Sequence, residues 1–220
     1  GPDSSGYWID EKINLVFGHR RLKIIDLSDA GHQPMVSKSK RFIITFNGEI
    51  YNHKTLRDEL IRDRQLFSGN ITANEQLWNG HSDTETILNA VDIWGFEKTL
   101  EKINGMFAFA LWDRKERNLY LVRDRMGEKP LYYGWQGGTF LFSSELKSIR
   151  EHPSFKNEID IESLTALLKY NYVPTPLSIY KNIKKLNAGS YLKLSLDRGH
   201  HHKSYNIKSY WSLNDNVILN

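Results

Sequence analysis

RFIITFNGEIYNH, Arg41 to His53, runs an apolar strand into Asn47-Gly48 and then leaves with an acid and a tyrosine where a hairpin would bring a matching second strand. Asn-Gly between two alternating runs is a strong hairpin signal. Here the continuation from Glu49 to Leu66 is rich in Leu, Arg, Glu, Asp and Lys, which reads as a helix. The stretch therefore predicts a strand over Arg41 to Phe46, ending at an exposed turn where the Asn47 side chain and the Gly48 amide face a ligand. A helix over Lys54 to Leu66 follows, with Leu56, Leu60 and Ile61 on one narrow apolar side.

Upstream of this stretch, Lys12 to His19 and Leu22 to Asp26 read as short strands rich in Ile, Val and Phe. Downstream, Phe67 to Gly80 reads as a polar inserted loop. Ser82-Asp83-Thr84-Glu85 has the spacing of a capping box, and Ile87, Leu88, Val91 and Trp94 recur behind it at helical intervals until Gly95 closes the helix. A short helix over Glu97 to Ile103 leads to Asn104-Gly105. Met106 to Asp113 and Asn118 to Arg123 read as paired strands joined at RKER. Pro130 to Trp135 and Thr139 to Ser143 read as a hairpin around Gln136-Gly137-Gly138. Helices are expected over Glu145 to Glu151 and Ile161 to Tyr170. Beyond Asn171, the segment from Pro174 through Leu186 reads as an extended connector, Gly189 to Leu196 as a last strand and Arg198 to Asn220 as a polar tail. Strands interrupted by grouped helices predict an α+β layered sandwich in preference to a doubly wound parallel sheet.

A chain of 220 residues, 40% hydrophobic and 12% aromatic, can bury a sizeable core and reads as folded. The charge of +4 arises from 30 basic and 26 acidic residues that are interleaved, as in KSIREHPSFKNEIDIE. Such mixing makes a solvated surface and no phosphate-binding stripe, so nucleic acid is not an expected partner despite a pI near 9.1. No apolar run approaches the roughly 18 residues of a membrane helix and no signal-like segment opens the chain, so a cytoplasmic home without membrane contact is expected. Cysteine is absent, which excludes disulfides, thiolate metal sites and a cysteine nucleophile among these residues. His200-His201-His202 reads as a solvated turn, since neighbouring side chains of an extended segment point apart; no metal site is expected.

Four stretches carry residues suited to holding an amino acid: GHRRLKIIDLSDAGHQPM (Gly18 to Met35), FNGEIYNH (Phe46 to His53), HSDTE (His81 to Glu85) and RDRMGEKPLYY (Arg123 to Tyr133). Arg21 can pair two-pronged with an α-carboxylate. Asp83, in the first turn of a helix, can accept from an ammonium group. Asn47 and the Gly48 N–H can donate to a polarised carbonyl oxygen. Each has a plainer reading: Arg21 as a surface bridge to Asp26, Asp83 as a complement to the helix dipole, Asn47-Gly48 as a turn, and Arg123-Asp124-Arg125 as an ion-paired loop.

Taken in order, GHRRLKIIDLS, AGHQPM, FNGEIYNH, SDTETIL, NGMFAFALWD, RDRMGEKPLYY, FSSELKSI and YVPTPLSIYKNIKKL closely resemble the glutamine amidotransferase domain of glutamine-hydrolysing asparagine synthetases and related polysaccharide-cluster amidotransferases, from Gly1 to about Trp211. The resemblance implies a four-layer αββα sandwich of two antiparallel sheets, the N-terminal-nucleophile hydrolase type. It implies a glutamine pocket of Arg21, Leu22, Ile24, Ile25, Asn47, Gly48, Glu49 and Asp83, with Asn47 and Gly48 as the oxyanion hole. It also implies glutamine hydrolysis by an N-terminal cysteine, with the ammonia passed to a synthetase domain that activates aspartate with ATP and magnesium.

Two parts of that machine are not among these residues. The opening Cys-Gly-Ile strand is missing, with Gly1-Pro2-Asp3 matching the interior of an RGPD-like word, and so is the SGGxDS-type phosphate loop. The expected organisation is an amidotransferase domain over 1–186, truncated at its N-terminus, and a final strand and linker over 187–220 toward a synthetase domain. Glutamine and that domain are the expected partners, with a homodimer as a further expectation; ATP and magnesium belong to the synthetase domain and no cofactor to this chain. The competing expectation is a non-catalytic glutamine-binding module, or an amidotransferase with a different acceptor.

Overall fold

Serine, glycine and tryptophan face inward along Ser4–Asp10 (β1) while Tyr7 and Ile9 face water, an inverted polarity that hides the strand from any search for apolar alternation. The structure, a computed structural model, describes residues 1–67, 77–196 and 205–216. In it β1 pairs antiparallel with Leu15–Arg21 (β2) along its whole length, from Ser4 opposite Arg21 to Asp10 opposite Leu15. This corrects the expected strands at Lys12 to His19 and Leu22 to Asp26. Residues 11–14 form the turn, with Asn14 at φ 52°, and 22–26 have left the sheet. Gly6 is required in β1 because a Cβ there would lie 2.3 Å from the Gln33 carbonyl oxygen and against the His32 ring.

After Met35–Val36 (β3) comes Phe42–Ile50 (β4), which carries Phe42, Ile43, Ile44, Phe46 and Ile50 into the core. Here the structure overturns the opening expectation: β4 runs straight through Asn47-Gly48 and ends at Ile50. The reversal comes at Tyr51-Asn52. The Tyr51 N–H donates to the Asn104 carbonyl at 2.8 Å, and Asn52 brackets the same segment, donating to Lys102 O and accepting from Asn104 N, each at 2.9 Å. Asn-Gly makes no turn because β4 is held by its neighbour. Gly105 approaches so closely that a Cβ on it would lie 2.1 Å from the Glu49 carbonyl oxygen.

Helix α1 spans His53–Phe67 and buries Leu56 and Leu60. Helix α2, Asp83–Trp94, is buried from Asp83 through Val91; the Ser82 side chain caps it by accepting from the Glu85 N–H, and Gly95, at φ 84°, ends it. Helix α3 is Phe96–Lys102. Strands Gly105–Asp113 (β5) and Asn118–Arg123 (β6) follow as neighbours. Tyr132–Gln136 (β7) and Thr139–Ser143 (β8) form a hairpin whose loop residues Gly137 and Gly138 sit at φ 55° and 95°, the mirror-image turn that glycine permits. Leu146–Arg150 (α4) and Ile161–Tyr170 (α5) come next, the latter capped by Asp160 accepting from the Ser163 N–H.

Within the expected connector, Ile183–Lys185 (β9) pairs with β7. Ser190–Ser195 (β10) is the expected last strand, but the expected polar tail contains Tyr205–Ser209 (β11) and Leu213–Asn216 (α6). The His200–His202 reading and most of the expected Phe67 to Gly80 loop lie outside the described residues.

The strands form sheets of two (β1-β2), six (β11-β10-β6-β5-β4-β3) and three (β8-β7-β9) members, and β1-β2, β3-β4, β7-β8 and β7-β9 pair antiparallel. The α+β expectation with antiparallel sheets holds. The chain divides into two compact units: Gly1–Gly105 with Phe109–Tyr120 and Lys193–Asn206, and Met106–Ala108 with Leu121–Leu192 and Ile207–Asn220. All eight expected pocket residues belong to the first.

Candidate functional site

β2 ends at Arg21, whose guanidinium is buried by the loop that follows it. Nη1 donates to the Ser28 carbonyl at 3.0 Å and Nη2 to the Asp26 carbonyl. Gly31 leaves room for it, since a Cβ there would fall 1.9 Å from Nη2. The surface bridge to the Asp26 carboxylate is thus not what forms: Arg21 is buried and bonds backbone oxygens. Two of its five N–H groups are occupied, which leaves donors for a carboxylate. Leu22 and Ile24, in contrast, are 57% and 68% exposed, and Ile25 is half-buried.

Two residues before Arg21, His19 places Nδ1 3.2 Å from the Thr45 hydroxyl of β4. Burial first, with the positive charges of Arg21 and His32 among the further causes, lowers its pKa from 6.5 to about 4. The folded state therefore holds a neutral imidazole and the unfolded chain takes up the proton more readily. His19 costs nothing above pH about 6.5, and stability is lost as pH falls from there toward about 4, by on the order of 3 kcal/mol. Urea denaturation between these pH values should show that slope, and His19→Gln should flatten it.

β3 pairs with β4 at only two positions, Met35 opposite Ile44 and Val36 opposite Ile43. Past them, side chains take over that edge of β4. The Gln33 Oε1 accepts the Phe46 N–H at 2.7 Å, and the Asp83 Oδ2 accepts the Ile50 N–H at 2.9 Å. A strand alternates its N–H groups with a period of two, so the Gly48 N–H lies on the same edge, between the two occupied ones. Gly48 has φ 154°, a backbone angle open to glycine. The Asn47 side chain is exposed, and Glu49 is half-buried.

Asp83 reaches this edge because the capped start of α2 points its first residue there. It is 5% exposed, and its Oδ1 accepts the Thr84 N–H at 2.9 Å. Burial raises its pKa, the Ile50 and Thr84 amides oppose the rise, and the like charge of Glu49 adds to it. The nearby cation, Arg57, is engaged elsewhere, 3.5 Å from Glu85. Asp83 is thus a buried carboxylate held by neutral donors and short of positive charge.

The turn in front of α2 is held by Arg57, which the sequence did not single out, and by Glu85 and Asp26 in roles it did not assign. Arg57 of α1 donates to Thr86 Oγ1, Gly80 O and Ser82 O at 2.9, 2.9 and 2.8 Å, with its guanidinium 4.0 Å from the Trp78 ring centre. Glu85 accepts from the Asn79 and Gly80 amides at 2.7 and 3.1 Å, so it departs from the capping-box expectation of reaching back to Ser82. Asp26 accepts the His81 N–H at 2.7 Å. Ionisable residues on a helix interior or a loop carry no spacing that announces such roles, although Gln33 and Asp26 both lie inside words whose order mattered. Asn47-Gly48-Glu49 and Asp83 are joined through the Ile50 amide, while the loop after Arg21 reaches the start of α2 through Asp26 with His81 and through Gln33 with Thr84.

The remaining motif, RDRMGEKPLYY, lies in the second unit and is structural. Arg123 donates to the carbonyls of Lys129, Leu186 and Gly127 at 2.8, 2.6 and 2.6 Å. Asp124 accepts four backbone N–H groups. Arg123 and Asp124 thus spend their side chains on backbone carbonyls and amides, because buried backbone groups need partners whatever their neighbours' charge. Among the described residues no group of three or more His, Asp or Glu could hold a metal, and no helix is long and apolar enough to cross a membrane.

The family model for the glutamine amidotransferase domain matches residues 1–211. The chain is 36% identical over 216 residues to asparagine synthetase [glutamine-hydrolyzing] 3 of Bacillus subtilis, covering 97% of this chain and 32% of that protein. It is 36% identical over 233 residues to the putative asparagine synthetase [glutamine-hydrolyzing] 2 of Methanocaldococcus jannaschii, covering 98% of this chain and 42% of the relative. The chain thus spans well under half the length of these relatives. In structure it is similar to the glutamine phosphoribosylpyrophosphate amidotransferase of B. subtilis, with TM-score 0.55 and 16% identity over 89% of this chain and 35% of that one, a likeness of fold.

Proposed function

This chain belongs to the glutamine amidotransferase family, and from that premise we propose that its first unit binds L-glutamine between the loop after β2, the far edge of β4 and the start of α2. The α-carboxylate pairs with the free N–H groups of Arg21. The α-ammonium sits against Asp83, with Glu49 adding negative potential. The side-chain carbonyl oxygen meets the Gly48 N–H and the Asn47 amide, donors placed where negative charge develops when a nucleophile adds to that carbon. Leu22, Ile24 and Ile25 flank the aliphatic stem.

The observation that carries this reading is the edge of β4. Gln33 and Asp83 occupy the Phe46 and Ile50 amides, and the Gly48 amide lies between them beside a buried acid that makes no ion pair among the described residues. The attacking thiol implied by the family resemblance is not among these residues, which contain no cysteine. Binding and oxyanion stabilisation are therefore the roles we assign to these residues. We further place the domain in a cytoplasmic asparagine-synthetase-like enzyme, where ammonia released from glutamine amidates aspartate in a second domain using ATP and magnesium. The names and greater length of the relatives support this.

Titration calorimetry with L-glutamine tests the binding step: one molecule per chain is expected, with D-glutamine bound far more weakly because its ammonium and carboxylate exchange places. Absence of heat with L-glutamine overturns the reading.

A further inference from the structure

Arg21 and Asp83 come from separate motifs, yet a free amino acid holds its two charged groups on one carbon, so their separation has to be set within a fraction of an ångström to serve both. Two side chains span the gap between the motifs: the Gln33 Nε2 donates to the Thr84 hydroxyl at 3.3 Å, and Asp26 joins the loop around Arg21 to the turn before α2. Asp26 Oδ1 accepts from the Ser28 N–H at 2.9 Å and the Ser28 hydroxyl at 2.6 Å, and its Oδ2 accepts the His81 N–H at 2.7 Å, two residues before Asp83. The same loop grips Arg21 from the other side through the carbonyls of Asp26 and Ser28. Gly80 permits the approach, since a Cβ on it would lie 2.4 Å from Asp26 Oδ2. Arg57 and Glu85 hold the 79–82 turn to the helices, so the tie from that turn to the Arg21 loop runs through Asp26.

We propose that Asp26 is a positioning residue that sets the spacing between the Arg21 guanidinium and the Asp83 carboxylate, and thereby the selectivity of the site for a free α-amino acid. It touches no substrate. This deepens, and rests on, the glutamine-binding reading above. Asparagine at this position keeps the size of the side chain and an oxygen for Ser28, but turns an NH2 group toward the His81 N–H, so donor meets donor and the tie opens.

Calorimetry with two ligands separates positioning from general loosening: L-glutamine, and glutaramate, which keeps the carboxylate and the amide but lacks the α-ammonium. Asp26→Asn is expected to weaken L-glutamine by about tenfold or more and glutaramate by less than about threefold, because only a ligand that spans both groups senses their separation. Equal losses for the two ligands, or unchanged glutamine affinity, overturn the proposal while leaving the binding reading intact. A wild-type chain that binds neither ligand overturns both. Should thermal unfolding show that Asp26→Asn does not fold, Ser28→Ala, which removes one of the two bonds at Oδ1, carries the same test. A selective loss for glutamine supports the role and a parallel loss refutes it.

Discussion

Asp124→Ala is expected to cost the protein about 3 kcal/mol, a large fraction of a domain's stability. The residue is 0% exposed. Its Oδ1 accepts from the Met126 and Glu128 amides at 3.1 and 2.9 Å, and its Oδ2 from the Phe107 and Lys129 amides at 3.2 and 2.9 Å. Its own backbone receives Gly127 N and Gly189 N at 3.2 and 2.8 Å. One carboxylate therefore organises the 126–129 loop and anchors it to the start of β5. Truncation would leave the buried Phe107 N–H without an acceptor, at a cost of about 1–3 kcal/mol, and would release the three part-buried amides of the 126–129 loop, each at a smaller cost. Asp124→Asn retains one acceptor oxygen and should lose about half as much. Urea denaturation of both variants checks the order. A midpoint for the alanine variant equal to wild type would show that the loop is held by something else, Arg123 and its three carbonyl partners being the obvious remainder.

Asp83→Asn should weaken L-glutamine by about 30-fold or more, or roughly 2 kcal/mol, with a much smaller effect on glutaramate. The physical ground is the state of the carboxylate. Burial disfavours its charge, two neutral amides offset part of that, and Glu49 makes matters worse. A ligand ammonium supplies the missing positive charge, and by the same linkage affinity should fall as pH drops through the raised pKa. Asparagine is the more informative substitution because it keeps one acceptor oxygen and the size of the side chain, whereas alanine leaves both the Ile50 and Thr84 amides without an acceptor. Asp83→Ala should therefore reduce stability as well as binding. The same holds for Arg21→Ala, which would orphan the Ser28 and Asp26 carbonyls. Both residues are buried, so neither alanine substitution is free of structural cost. Unchanged glutamine affinity in a folded Asp83→Asn variant would reduce Asp83 to a structural role.

Where an element carries its own instructions, the sequence was sufficient. β6 and α5 fall at their expected residues, Asn118–Arg123 and Ile161–Tyr170, since apolar spacing and an N-cap aspartate act within a few residues of chain. Ser82 capping α2 and Gly137-Gly138 turning between β7 and β8 are local in the same sense. The α+β class and the words that mark the family were legible for that reason.

The arrangement around Asn47-Gly48 was not legible, because a dipeptide's preference for a turn is worth little against a strand paired along its length with Gly105 pressed against it. β1 escaped notice because its inward face is made of Ser, Gly and Trp. Above all, sequence named Arg21, Gly48 and Asp83 as types of side chain suited to an amino acid, whereas their burial and their partners came only with the fold. Asp26 reaches 55 residues along the chain to His81, and Asp83 reaches back 33 to Ile50. Hydrogen bonds at such separations depend on how β2, β4 and α2 pack, and no local pattern of residues encodes a distance between segments that meet only in three dimensions.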